Sequence, residues 1–306
     1  MDGADRRDVA DNRSIEGDMS TTGAETKKPR HRASAVCEAE GQLLLVRLRD
    51  PVTGVEALYP PGGGVEPNET PAETARRETL EETGVRIDVM PDVVVVDRYP
   101  FTWAGVEYDC TTHYFAAKAE GPPGDLAKVI DADYNLGALW LPTNEALDAM
   151  AIHPAIASSV VEVLRRSRLA EWTAHPNIGG PASMLLGIHD QFRRVAEHLL
   201  TLEAGARTAR TFGPLASVLH HHHHAEERML FPLVEHKTGT APARLVSDHE
   251  ELTAAIAAVE TSYTKDAVAR FERVLRDHLA REELLVVPVL LSLRNDEAWA
   301  MLEGTG

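Results

Sequence analysis

The sequence predicts an α/β domain followed by an all-α bundle, and three observations carry that expectation. Up to about Leu141, short runs of β-branched and aromatic residues alternate with turn residues, the pattern of strands and hairpins. Beyond Pro181 no strand-like run occurs. Four long stretches there repeat apolar side chains at spacings of three and four, the period of amphipathic helices. The change falls at "WTAHPNIGGPAS", so the first domain is expected over 31–170, a connector over 171–180 and the bundle over 181–303. A chain of 306 residues is long enough for two domains of about 150 residues each. Residues 1–30 mix both charge signs with almost no large apolar side chains, so they are expected to be disordered.

Composition excludes several classes. The formal net charge is −17, which disfavours nucleic acid as a partner, because such binding relies on Lys and Arg to neutralise phosphates. No apolar stretch approaches the roughly 20 residues needed to cross a bilayer, so no membrane partner is expected. The acidic, apolar-poor N-terminus has neither signal-peptide nor transit-peptide character. Only Cys37 and Cys110 are present, so neither a disulfide framework nor a thiolate metal site is implied, and a reducing cytoplasm suits the chain best.

The first half reads in order. "SAVCEAEGQLLLVRL" is a hairpin turning at "EAEG"; "VRIDVMPDVVVVDRY", "VEYDCTTHYFAAKA" and "LGALWLP" are further strands. Trp140 in the last of these reads as a core residue. One helix interrupts the strands over Pro71–Thr83, and others are expected over Asn144–Met150 and Pro154–Arg168. The Pro71 helix has well-marked ends. Thr70 is a candidate N-cap, Pro71 suits the first helical position, Glu73 completes a capping box, and Gly84 can end the helix in a left-handed conformation.

Within that helix Glu78, Glu81 and Glu82 are spaced i, i+3, i+4, so their carboxylates share one face. Three like charges on adjacent turns repel unless a cation sits among them, and hard divalent ions such as Mg²⁺ take oxygen ligands and bridge to substrate phosphates. The surrounding string, "GGGVEPNETPAETARRETLEETGV", resembles the box of the Nudix hydrolases. Gly63, Glu69, Arg77, Glu78, Glu81, Glu82, Gly84 and Val85 fall in its register, and Thr79 stands where that family prefers an aliphatic residue. The resemblance covers about Arg30–Leu169. It implies an α/β/α sandwich around a mixed sheet and hydrolysis of nucleoside diphosphates linked to another moiety. It further implies Mg²⁺ or Mn²⁺ on Glu78, Glu81 and Glu82, joined by the backbone carbonyl of Gly62, with Arg77 and Glu69 orienting loop and helix. No residue is assigned as general base, and no motif in "YPFTWAGVEYDCTTHYF" selects a particular nucleotide.

The bundle helices are separated at "EAGARTARTFGP", "EHKTGTAP" and "SYTKD". Heptad phase places one histidine of each helix on its apolar stripe: His189, His222, His249 and His278. Glu226 and Glu282 lie one turn below His222 and His278, and both helices carry His-x3-Glu-Glu-x4-Pro. Six polar groups aimed into an apolar core each need a partner. Imidazole with carboxylate and no thiolate suits iron, with manganese the alternative, and the set matches a two-metal centre with two histidines per ion and both carboxylates bridging. His222 lies within "HHHHH"; His220, His221, His223 and His224 fall off its register, His223 being the rival because Glu227 follows it by four. His113, His153, His175, His198 and His236 read as ordinary residues. This half resembles the hemerythrin-like, or HHE, family over about Pro181–Leu293, at His189, His222/Glu226, His249 and His278/Glu282. The resemblance implies a four-helix bundle holding two iron ions. The Glu-x-x-His of ferritin-like bundles is absent.

The expected function is therefore a metal-dependent hydrolase of a nucleotide-type small molecule, carrying a non-haem two-iron module that binds or senses oxygen, nitric oxide or iron. The alternative is a non-enzymatic sensor of redox state, gas or iron with a regulatory first domain.

Overall fold

The computed structural model describes residues 27–121, 126 and 133–304. Most of the tail expected to be disordered, residues 1–26, lies outside them, while Lys28–Arg30 already belong to the first strand.

Among the described residues seven strands form one mixed sheet: β1 Lys28–Ala39, β2 Gln42–Arg49, β3 Glu56–Tyr59, β4 Gly62–Gly64, β5 Ile87–Trp103, β6 Val106–Ala119 and β7 Asn135–Pro142. The main order is β3-β2-β1-β6-β5, with β4 also on β1 and β7 also on β2. β1 runs parallel to β6, and the other pairings are antiparallel. The β1–β2 hairpin turns at Glu40 and Gly41, both at positive φ. β3 and β4 are short and escaped the sequence reading. β5 shifts register between Met90 and Val94, around Pro91, whose missing N–H suits an irregular position.

Strand alternation sends side chains to two cores. Ala33, Ala35, Cys37, Phe115 and Ala117 pack with Ala75 of α1 (Pro71–Thr83), and Trp140 lies partly buried against the same cluster. On the other face Val36, Cys110, Tyr114 and Ala116 meet the helices that follow β7: α2 (Thr143–Ala149), a 3₁₀ turn at Met150–Ile152, and α3 (Pro154–Ala174). The result is the expected α/β/α sandwich. α3 continues six residues past the expected Arg168, and Trp172 near its end is buried among bundle residues.

The helical part comprises α4 Pro181–Thr201, α5 Ala206–Ala225, α6 Phe231–Thr238, α7 Ala243–Ser262, α8 Lys265–Leu291 and α9 Asn295–Gly304. A π-helical segment, Glu226–Leu230, joins α5 to α6 as one rod. The expected break at "EAGARTARTFGP" is confined to its start. α5 begins at Ala206 and runs through Gly213 and Pro214, with Phe212 fully buried, so packing outweighs the local cost of the proline. α9 was not foreseen. α8 also departs from a single stripe: Leu285, one heptad after His278, is 37% exposed, whereas Glu283 is wholly buried. The reason is that α8 is covered on two sides, by the bundle and by α3; Ala280 and Leu284 belong to the apolar cluster beneath the sheet. Among the described residues no helix is long and apolar enough to cross a membrane.

Candidate functional site

The first candidate site forms where α1 meets the β4 strand. The capping box is present in full: Glu73 N donates to the Thr70 hydroxyl, and Glu73 Oε2 accepts from Thr70 N at 2.7 Å. Gly84 ends the helix at φ 72°. These caps fix which way the glutamates face. A Cβ at Gly63 would lie 2.2 Å from Glu78 Oε1, and one at Gly62 2.3 Å from the carbonyl oxygen of Ala33, so only glycine lets β4 pass between helix and β1.

Arg77 organises the site. It meets Glu69 in a two-pronged pair (2.9 and 3.0 Å), and its Nη1 donates to Glu78 Oε1 at 2.9 Å and Glu81 Oε2 at 3.0 Å. Its guanidinium, with the Thr74 hydroxyl, holds Glu69 down at about 2. Burial pushes the Glu78 carboxyl up, against the pull of Arg77. Glu82, buried, accepts from Gly62 N at 2.8 Å, and Arg32 Nη2 donates to Gly62 O at 3.0 Å. Glu78 and Glu81 are thus tied together through Arg77, and Glu82 is tied to the Gly62 backbone. Among the described residues, however, the three glutamates do not draw ligand atoms to within 4.8 Å of one another. Glu81 is 47% exposed, and Glu78 and Glu82 are drawn toward different hydrogen-bond donors, as like charges require. Oxygen donors alone, on a rigid helix beside a glycine strand, fit a hard divalent ion. Thr79, the departure from the box, is fully buried and donates to the Ala75 carbonyl, so it packs as an aliphatic residue would.

Glu78, Glu82 and the Gly62–Gly64 strand line one wall of a cleft of about 780 Å³. Its other walls bring Arg30, Arg32, Tyr59, Phe101, Trp103 and Tyr134 together. The rings of Phe101 and Trp103 lie nearly parallel, 10° apart, and Tyr134 meets Trp103 edge-on. Asp50 anchors this end. Its carboxylate accepts from Val52 N, Thr53 N and Ala104 N, which holds it at about 2 and ties the β5–β6 turn to the β2–β3 loop. Sequence reading missed these aromatics, because they come from three separated segments.

The second candidate site is a polar layer between two apolar clusters of the bundle. One cluster holds Phe192, Leu219, Leu252 and Leu275; the other holds Leu185, Phe231, Leu245 and Val286. Between them two groups of side chains converge, each with ligand atoms within 4.8 Å of one another: His189, His222, Glu226 and Glu282, and His223, Glu226, His249 and His278. The structure therefore gathers every predicted bundle residue and adds His223. His220, His221 and His224 are exposed. Glu226 lies four residues after His222 and three after His223, one turn from each, so a single carboxylate serves both groups.

Many of these atoms are buried without a hydrogen-bond partner, both oxygens of Glu282 and Nε2 of His223 and His278 among them, while Glu226 Oε1 crowds His222 Nε2 at 2.6 Å. Such a set is costly unless a metal takes it. Burial and the neighbouring His249 hold His223 down at about 3, and burial holds His278 well below its usual range, so both rings are neutral and competent as ligands. Burial drives Glu282 well above the carboxylate range, and the charge of Glu226 adds to this. The residues present fit a pair of metal ions.

Two further carboxylates complete the layer. Each is the second glutamate of a His-x3-Glu-Glu motif. Glu227 Oε1 accepts from His249 Nδ1 at 2.7 Å, and Glu283 Oε1 accepts from His189 Nδ1 at 2.9 Å. A carboxylate on one ring nitrogen leaves the other as the ligand and fixes the ring's orientation. Burial opposes protonation of His189 and His249, but the carboxylates around each outweigh it and raise both. The doubled glutamate was visible in the sequence; its partners were not.

Comparison with known proteins agrees with this division. Residues 27–160 match the NUDIX domain, and residues 181–290 match the hemerythrin HHE cation binding domain. A Mycobacterium tuberculosis protein provisionally named 8-oxo-dGTP diphosphatase 3 is 28% identical over 148 residues, which cover 47% of this chain and 58% of that protein. The chain thus spans little more than half the length of the curated relatives it matches. Among solved structures, a NUDIX hydrolase from Nitrosomonas europaea is 25% identical with a TM-score of 0.36, covering 46% of this chain and 90% of that one. A C. elegans Ap4A hydrolase in a binary complex is 20% identical with a TM-score of 0.36, covering 46% and 98%. The chain is a fusion of a NUDIX domain with a hemerythrin HHE domain.

Proposed function

We propose that the chain is a pyrophosphohydrolase acting on a nucleoside diphosphate derivative with Mg²⁺ or Mn²⁺, and that its bundle holds two iron ions, manganese being the alternative. One observation carries the first part: Glu78, Glu82 and the Gly62–Gly64 strand share a cleft with Arg30, Arg32 and the rings of Tyr59, Phe101, Trp103 and Tyr134. The aromatic end offers flat faces on which a nucleobase stacks, and Arg30 and Arg32 offer cations to phosphate oxygens. Arg77 and Glu69 keep α1 and the loop before it in fixed relation. A divalent ion on Glu78, Glu81, Glu82 and the Gly62 carbonyl supplies charge neutralisation at phosphate and lowers the pKa of an attacking water. The name of the M. tuberculosis relative makes oxidised purine nucleotides the first substrates to try.

Glu82→Gln tests this reading. Glutamine keeps the shape and an oxygen to accept from Gly62 N, but removes the charge. Turnover should fall by at least a hundredfold while circular dichroism and the urea midpoint stay close to the parent. Parent-like turnover would refute the assignment.

A second observation favours ligand binding at the bundle alongside hydrolysis. A cleft of about 710 Å³, lined by Met184, Ile188, Met229, Leu230 and Trp299, reaches His222 and Glu226. Apolar walls admit a small uncharged molecule such as oxygen or nitric oxide more readily than an ion. Filling it with Ile188→Trp should slow nitric oxide association with the iron-loaded protein, followed by stopped-flow absorbance; an unchanged rate would exclude this route.

A further inference from the structure

The two outer carboxylates of the polar layer are not equivalent. Glu227 is 43% exposed and reaches His249 from the bundle surface. Glu283 is wholly buried at the junction between α8 and α3. Its Oε1 accepts from both His189 Nδ1 (2.9 Å) and Arg193 (2.7 Å), whereas its Oε2 accepts from Arg165 Nη1 at 3.3 Å. Arg165 lies on α3, the helix that packs against the sheet of the first domain, and is only 12% exposed. Its Nε and Nη2 are spread over both oxygens of Glu162, at 2.8 and 3.1 Å. Glu162 in turn takes Arg166, which donates to the Val94 carbonyl of β5 at 2.9 Å.

We propose that Arg165 is a positioning residue for the metal group His189–His222–Glu226–Glu282, acting through Glu283, so that the first domain helps build the second domain's metal centre. This rests on reading that group as a metal site. A buried carboxylate is held in one orientation when both of its oxygens are paired or hydrogen-bonded. Arg165 is the cation on Oε2, and its fork is held in place by Glu162. Without it Glu283 is free to swing toward Arg193, and its grip on the His189 ring loosens. The other metal group shares Glu226 with the first, but its outer carboxylate is Glu227 and it does not touch Glu283.

The test uses the full chain, metal-free, with excess Mg²⁺ to occupy the glutamate face of α1. Co²⁺ is titrated in while the visible d–d absorption of histidine-bound cobalt is followed. The parent should take two ions into the bundle. In Arg165→Met one of the two dissociation constants should rise about 10- to 100-fold, the usual effect of losing such a support, and the other should hold. Glu283→Gln should weaken the same ion, and the double variant should lose little more than either single one. Arg165→Lys, keeping the charge without the fork, should fall between, and it carries the test if Arg165→Met does not fold. Arg166→Met breaks the same α3 network without touching Glu283 and should keep both ions. Two parent-like constants in Arg165→Met would overturn the proposal, as would an equal loss in Arg166→Met, which would mean a general junction effect. A parent that binds no cobalt through histidine would instead refute the metal reading itself.

Discussion

His222 and His223 are neighbours in sequence that face different groups, and the difference sets what each does when changed. Removing His222 should cost the ion held with His189 and Glu282, and removing His223 the ion held with His249 and His278. His220→Ala and His224→Ala, at exposed positions, should leave the metal content of purified protein unchanged. Loss of both ions from His220→Ala would contradict this. The metal-free state has a further signature. The folded value of His223, about 3, lies below the usual 6.5 or so, so between those values the unfolded chain takes the proton and the folded chain does not. Stability from this group is complete above about pH 6.5 and falls as the pH drops toward 3. Between pH 7 and pH 5 the metal-free parent should therefore lose up to about 2 kcal/mol more than His223→Gln in urea unfolding; equal losses would show that His223 is not buried neutral. Heptad phase could name His222 but not His223, because a stripe admits one residue per turn, while Glu226 reaches back to both. Glu78, Glu81, Glu82 and Arg77 could be singled out because their spacing puts them together on α1. The Phe101, Trp103 and Tyr134 wall was not, because only the fold brings those segments to one cleft.

At the scale of elements, α1 owes its position to local signals that any reader of the sequence can find. Thr70→Ala removes a cap that serves Glu73 N and receives the Glu73 carboxylate in return, and should cost about 1 kcal/mol of stability by urea unfolding. A loss below the error of the measurement would mean that the helix is held by packing alone. The α5–α6 rod is the opposite case. Its π turn at Glu226–Leu230 precedes Pro232, whose ring would otherwise meet the carbonyl one turn back. The wider turn shifts the phase, so Phe231, Leu233 and Val234 are buried, while Met229, one heptad after His222, is only partly so. Periodicity read at 3.6 residues per turn has no means of registering that shift. In the same way α8 reads as a one-sided helix, and only its contact with α3 explains a buried Glu283 and an exposed Leu285.

At the scale of the molecule, two motifs separated the domains, but neither indicated that they share a helix. α3 contributes Val160 and Val161 to the core beneath the sheet and Trp172 to the core of the bundle. Calorimetry of the metal-free chain should accordingly give one cooperative transition; two well-separated peaks would mean that the junction is not part of the folded unit. The proposed hydrolysis of a nucleotide's phosphate anhydride rests on the glutamate face and the aromatic cleft acting together. Its most direct measurement is phosphorus NMR of a panel of nucleoside diphosphate derivatives and oxidised purine nucleotides, incubated in ¹⁸O-water with the Mg²⁺- or Mn²⁺-loaded chain. At least one should be cleaved between phosphates, with label on a single product phosphate and no cleavage by Glu82→Gln. A folded, metal-loaded chain that cleaves none of them, or that cleaves as fast with Glu82→Gln, would contradict it.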